Sequence, residues 1–161
     1  MRPPAIAKTN AARLLDTLSI PYELRAYEID LEDLSARTVA RKIGLPPEQV
    51  FKTLLTESPI GDQVFALVPG DQVLNLRKLA QVSGHKKLGL TPLNQVQPLT
   101  GYLRGAVTVL AARKLFPIFT DESIELHDII SISAGQRGLQ LLVAPADLLR
   151  AFSATLADLS K

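Results

Sequence analysis

Two strand-length apolar runs, FKTLLTE at 51–57 and QVFALVPG at 63–70, stand on either side of SPIGD. Runs of this length around a proline- and glycine-bearing connector predict a hairpin. Segments with helical spacing surround it: TNAARLLDTLS at 9–19, ARTVARKIG at 36–44, a stretch over 72–83 and a closing one from Pro145 to Leu159. Thr9, Asn10 and Ser35 are of the types that cap helix starts, and Gly44 is the usual stop. Shorter strand-like segments follow: AVTVLA (106–111), PIFTD (117–121), SIELH (123–127), IISISAG (129–135) and GLQLLVA (138–144). YELRAYEI (22–29) alternates in a way that suits an outer strand. LPPEQV reads as a turn or single helical turn, and 87–102, broken by proline and glycine, as a short strand, a helical turn and a loop. Helices at both ends of a strand-rich middle predict the α+β class, one domain over 1–161 with helices packed on a mixed, largely antiparallel sheet.

Composition narrows the chemistry. The 161 residues are enough for one core that removes about two-thirds of the unfolded surface from water. Cysteine is absent, which excludes disulfides, thiolate metal sites and a cysteine nucleophile. The two histidines, His85 and His127, lack HxH or HxxxH spacing, so no metal is expected. MRPPAIAKTNAARLLDTL has no apolar leader core, and no run approaches a membrane span, so the expectation is a soluble cytoplasmic protein. With no heptad or exposed apolar stripe evident, a monomer is expected. A net charge of +2 permits nucleic-acid contact without demanding it. Acidic residues gather at 28–33 and 121–125, while Arg77, Lys78, Lys86, Lys87, Arg104, Arg113 and Lys114 make the middle basic. A solvated mixed surface and a phosphate-binding face both fit that pattern.

Lys52 is the odd residue of the hairpin. It is either a lysine snorkelling from an edge strand or a cation at a pocket mouth, able to hold a phosphate or carboxylate or to act as a base. TGYLRGAVT (100–108) sets Gly101 and Gly105 around a bulky segment, and SAGQRG (133–138) forms a second glycine loop. Both fit turns, and both fit backbone amides brought up to an anion or oxyanion. Neither matches GxGxxG or GxxxxGK[ST], and no G-x-S-x-G is present.

LGLPPEQVFKTLL, TGYLRGAV, SISAGQRGL and the earlier YELRAYE, in that order and spacing, resemble the YbaK/EbsC family of aminoacyl-tRNA deacylases, relatives of the editing domain of bacterial prolyl-tRNA synthetases. The resemblance runs over about 10–155. It implies an α+β domain on a partly barrel-like sheet that hydrolyses the ester of mischarged tRNA, most characteristically cysteine on proline tRNA, without a cofactor. It implies that Lys52 is the functional lysine and that Gly105 opens a GxxxP loop facing the substrate carbonyl. Tyr27 and Ser133 correspond to pocket residues, and Thr53, Gly101, Ala106 and Gly135 complete the expected substrate-binding set. A mischarged tRNA and a prolyl-tRNA synthetase are the partners implied. Two positions depart from the pattern: Val109 stands where the loop expects proline, and Gln140 where relatives carry aspartate. A deacylase for another amino acid such as alanine, a tRNA- or synthetase-binding module without turnover, and a small-molecule binder are the rival readings.

Overall fold

The computed structural model describes residues 6–161. Residues 1–5, which open the stretch read for a leader, lie outside the described residues. Eight strands, β1 (Glu23–Ala26), β2 (Phe51–Glu57), β3 (Gln63–Pro69), β4 (Gly89–Leu90), β5 (Ile118–Asp121), β6 (Ile130–Ser133), β7 (Leu139–Val143) and β8 (Thr155–Ala157), alternate with helices among the described residues. The helices are α1 (Asn10–Thr17), α2 (Ala36–Ile43), α3 (Leu76–Ser83), α4 (Leu93–Thr100) and α5 (Pro145–Ala151).

The class is α+β, but the strands divide into two sheets rather than one. One is antiparallel with order β1-β7-β6, and the other is mixed with order β4-β2-β3-β5-β8. An isolated parallel bridge between Val50 and Ser131 joins them. β1 is an outer strand, as its alternation predicts. β3 explains why the hairpin is so apolar. Phe65 and Leu67 enter the core shared with α1, α5 and the smaller sheet, whereas Val64, Ala66 and Val68 face α3. A strand covered on both faces has no polar side to show. A third, smaller cluster sets Val39, Ala40 and Ile43 of α2 against Val50, with Tyr27 and Leu45 at its margin.

Local signals explain most element ends. Thr9 accepts the Ala12 amide, Ser35 the Thr38 amide and Asn75 the Lys78 amide, each at a helix start, and Gly44 ends α2 in the left-handed region. Because Asn75 is the cap, the helix expected from 72 begins at Leu76.

Three expectations are corrected. AVTVLA is a loop: Gly105 and Ala111, at φ 85° and 55°, turn the chain at both ends, and Val109 and Leu110 reach the core without a ladder. SIELH belongs to a 3₁₀ segment, Glu122–Leu126, begun by Asp121, whose carboxylate accepts the Ser123 amide. The closing helix stops at Ala151, where Phe152 turns extended. Residues 155–157 become β8, parallel to β5.

Candidate active site

β3 pairs with β2 along the whole of β2, but β4 covers the other edge only at Thr56 and Glu57. Between β4 and the Val50–Ser131 bridge, that edge opens on a cleft of about 540 Å³. Residues 50–54 form one wall, the start of α2 and the acidic loop before it form the rim, and Gly105, Val107, Ser133 and Gln140 close the far side.

Lys52, Thr53, Gly105 and Ser133 therefore share one cavity, although 81 residues separate the first from the last (133 − 52). Lys52 is half-buried, and its Nζ donates to the Gln72 carbonyl at 2.7 Å. An ammonium has three protons, so two remain for a ligand. No carboxylate of the described residues lies within ion-pair distance of it. Burial, chiefly, pulls the Lys52 pKa below its ordinary 10.5; Arg37 adds to that and Asp71 opposes it. A lysine free to snorkel would carry little desolvation cost. This one is held at the cleft.

Gly105 stands at φ 85°, and a Cβ there would come within 3.3 Å of Leu34. That loop supplies free amides on either side of Ala106, one of the expected substrate-binding residues, rather than at Ala106 itself. The Ala106 amide donates to the Leu103 carbonyl at 2.9 Å and the residue is buried, whereas the amides of Gly105 and Val107 find no acceptor among the described residues. Ser133 Oγ accepts the Gly135 amide at 3.0 Å, which leaves its hydroxyl proton for the cavity. Gln140 is buried beside it, its Oε1 accepting from Ser131 Oγ at 2.7 Å.

The remaining expected site residues stand behind the walls. Tyr27 packs at the edge of the α2 cluster, and its amide donates to the Gly138 carbonyl. Gly101 is the left-handed stop of α4, donating to the Gln97 carbonyl. Gly135 presses on the Tyr102 ring, where a Cβ would fall 2.8 Å from Cε1. Neither histidine lines the cleft. His127 sits edge-on to Phe51 at 6.5 Å, beside a second, acidic cavity. Among the described residues no group of three potential ligands is placed to hold a metal ion.

Arg37, and Glu32 and Asp33 of the acidic 28–33 stretch, also line the cleft, although the sequence marked none of the three as a site residue. Asp33 accepts from Thr38 Oγ1 and the Ser35 amide, and these bonds hold its carboxyl down at about 2. It is ionised throughout the working pH range and is a poor base. Their signal was the capping pattern D-L-S-A-R-T, which places an acid and then an arginine at one helix start.

The model of the aminoacyl-tRNA editing domain matches residues 34–151, about three-quarters of the chain, and every cleft residue named above except Glu32 and Asp33 lies within that span. The chain belongs to that family, the YbaK/EbsC type of aminoacyl-tRNA deacylase. An editing-domain relative from Enterococcus faecalis, named "Putative Cys-tRNA(Pro)/Cys-tRNA(Cys) deacylase EbsC", is 35% identical over 153 residues, 95% of this chain and 93% of its own. The crystal structure of hypothetical protein APE2540 has a TM-score of 0.86 at 22% identity, covering 95% of this chain and 100% of the other. That of "a putative trans-editing enzyme for prolyl tRNA synthetase" has a TM-score of 0.79 at 22% identity, covering 97% and 99%. These two structures share the editing-domain fold with this chain. No helix among its described residues is long and apolar enough to cross a membrane.

Proposed function

We propose that this chain hydrolyses the ester of mischarged aminoacyl-tRNA in trans, with cysteinyl-tRNA(Pro) as the leading substrate. The observation that carries this is the cleft itself: a half-buried lysine lines one cavity with Ser133 and with a loop that has two uncommitted amides. The cysteine preference rests on the name of the Enterococcus relative, and the proline tRNA on that name and on the synthetase for which the trans-editing structure is named.

In this reading the tRNA 3′ end enters between β2 and the Gly105 loop. Lys52, anchored through one proton to Gln72, gives its other protons to the terminal phosphate or a ribose oxygen and aligns the ester. The Gly105 and Val107 amides receive the oxyanion, a contribution of roughly 3–4 kcal/mol for one well-placed donor. Thr53 lines the amino-acid side of the cleft together with Ser133. Tyr27, from behind the wall, holds the shape of that pocket.

Within the cleft Asp33 is too acidic to serve as a general base, and there is no histidine. That favours attack by the cysteinyl thiol on its own ester. A C–S bond forms, the C–O bond to the ribose breaks, the thiol proton passes to the ribose oxygen, and water later opens the thiolactone. An ordered water attacking directly is the alternative for a substrate such as alanine. The enzyme works as a cytoplasmic monomer alongside prolyl-tRNA synthetase.

A panel of mischarged tRNAs tests the reading. Protein at substoichiometric amounts is expected to clear cysteinyl-tRNA(Pro) fastest, with alanyl-tRNA(Pro) slower and correctly charged tRNA spared. Saturable binding without ester loss would make it a module without turnover, a reading motivated by Val109 and Gln140. Faster loss of the alanyl ester would overturn the cysteine preference.

A further inference from the structure

Tyr102 ties together the two loops that close the cleft. Its hydroxyl donates to the Leu110 carbonyl at 2.6 Å, joining the two ends of the segment whose tip is Gly105. One step out, the Arg113 amide donates to the Thr100 carbonyl at 2.9 Å, and the Tyr102 amide donates to Thr100 Oγ1 at 3.1 Å. The base of the loop is thus closed by one backbone bond, Arg113 to Thr100, the Tyr102 amide bond to Thr100 Oγ1 shapes one side of it, and the tyrosine hydroxyl is a side-chain clasp above. Its ring meanwhile fills the space beside Gly135, where no residue with a Cβ fits at φ 92°. The Gly135 amide in turn donates to Ser133 Oγ, inside the cleft.

Because burial raises the phenol pKa above its ordinary 10.0, the hydroxyl remains a donor at every working pH. Arg137 adds a second tie on the solvent side, Nε donating to the Arg104 carbonyl at 2.8 Å. That bond joins the two loops directly on the outside, and the Tyr102 ring supplies the packing contact between them at Gly135.

We propose that Tyr102 is a positioning residue for deacylation: its hydroxyl fixes the Gly105 and Val107 amides and its ring fixes Ser133, so one side chain sets both edges of the pocket. This rests on the deacylase reading above. The physical need is evident from residue 109. Valine there leaves φ free where a proline would lock it, and a loop that presents oxyanion donors must hold them to a fraction of an ångström.

The test compares parent, Tyr102→Phe and Tyr102→Ala. Tyr102→Phe keeps the ring and loses the clasp, and its kcat is expected to fall about tenfold with KM little changed; Tyr102→Ala, losing both, is expected to fall about a hundredfold. Amide hydrogen exchange is followed on the same proteins. Exchange is expected to rise at 103–110 in Tyr102→Phe, extend to 133–138 in Tyr102→Ala, and stay at the parental rate in β2 and β3. A phenylalanine variant with parental kcat, or exchange that rises across the whole fold, overturns the proposal. If the parent itself clears no ester, the deacylase reading fails, while exchange still decides whether Tyr102 holds the two loops.

Discussion

A single side chain shows how the cleft is set up electrostatically. Lys52 is the one cation of β2, and burial, reinforced by Arg37, costs its charged form stability. In the window between its lowered folded value and the 10.5 of a free lysine, the unfolded chain holds the proton more firmly, so stability rises with pH there. Activity should run the other way. Deacylation, corrected for spontaneous ester hydrolysis, is expected to fall on the alkaline side with a midpoint below 10.5, as the aligning charge is lost. Lys52→Arg cannot lose its proton in that range and is expected to remove the limb, even at a reduced rate. A limb unchanged by Lys52→Arg would mean another group titrates. Lysine at 52 was legible in sequence because a cation inside an apolar strand is out of place. Gly101 misled for the opposite reason: its helix-stop role and a ligand-facing role demand the same residue. Tyr102 gave no signal at all, since a tyrosine between two glycines says nothing of the carbonyl it reaches eight residues on (110 − 102).

Among the elements, the misread segments share a cause: local pattern cannot report which partner is free. AVTVLA has the β-branched residues of a strand, but the positive φ at Gly105 and Ala111 leaves no straight run to pair. The closing helix fails at Phe152 because β8 has a parallel place waiting beside β5, which no spacing announces. By contrast β3 and α2 were fully legible, one from unbroken apolarity and the other from its serine cap and glycine stop. Asp121 secures the C-terminal end. Burial would push its carboxyl up, but hydrogen bonds from Ser123, the Leu159 amide and Ser160 outweigh that and hold it below 3.8. The stability this adds is present above 3.8 and lost as pH falls through the lowered folded value. Asp121→Ala strands the buried Leu159 amide, a cost of about 1–3 kcal/mol. A fall in Tm of about 2–4 °C for each kcal/mol is expected, together with a shallower acid limb of stability. Because Asp121 faces the second cavity, kcat per folded molecule is expected to stay at the parental value. A calorimetric scan series across pH, with activity measured on the same samples, checks both.

Viewed whole, the molecule separates its charges. In the cleft the three cations Lys52, Arg37 and Arg104 outnumber Glu32 and Asp33 at the rim, while the other cavity carries Glu48, Asp71, Asp121, Glu122, Glu125 and Asp158 and no lysine or arginine. A polyanion is drawn to the first and repelled from the second, so a net charge of only +2 understates the steering field. Arg104→Ala is expected to weaken tRNA binding and to lower the steepness of log K against log salt by about 0.7–0.9, the value of one phosphate contact. Titrations of uncharged tRNA at several salt concentrations would show it, and an unchanged slope would remove Arg104 from the binding face. The central claim is that the ammonium of residue 52 drives ester cleavage. Its most direct test is a single-turnover time course of cysteinyl-tRNA(Pro) with parent and Lys52→Ala, folding being checked by circular dichroism. Rapid ester loss is expected with the parent, and loss near the spontaneous rate with a folded Lys52→Ala. Equal rates for the two proteins would contradict the claim.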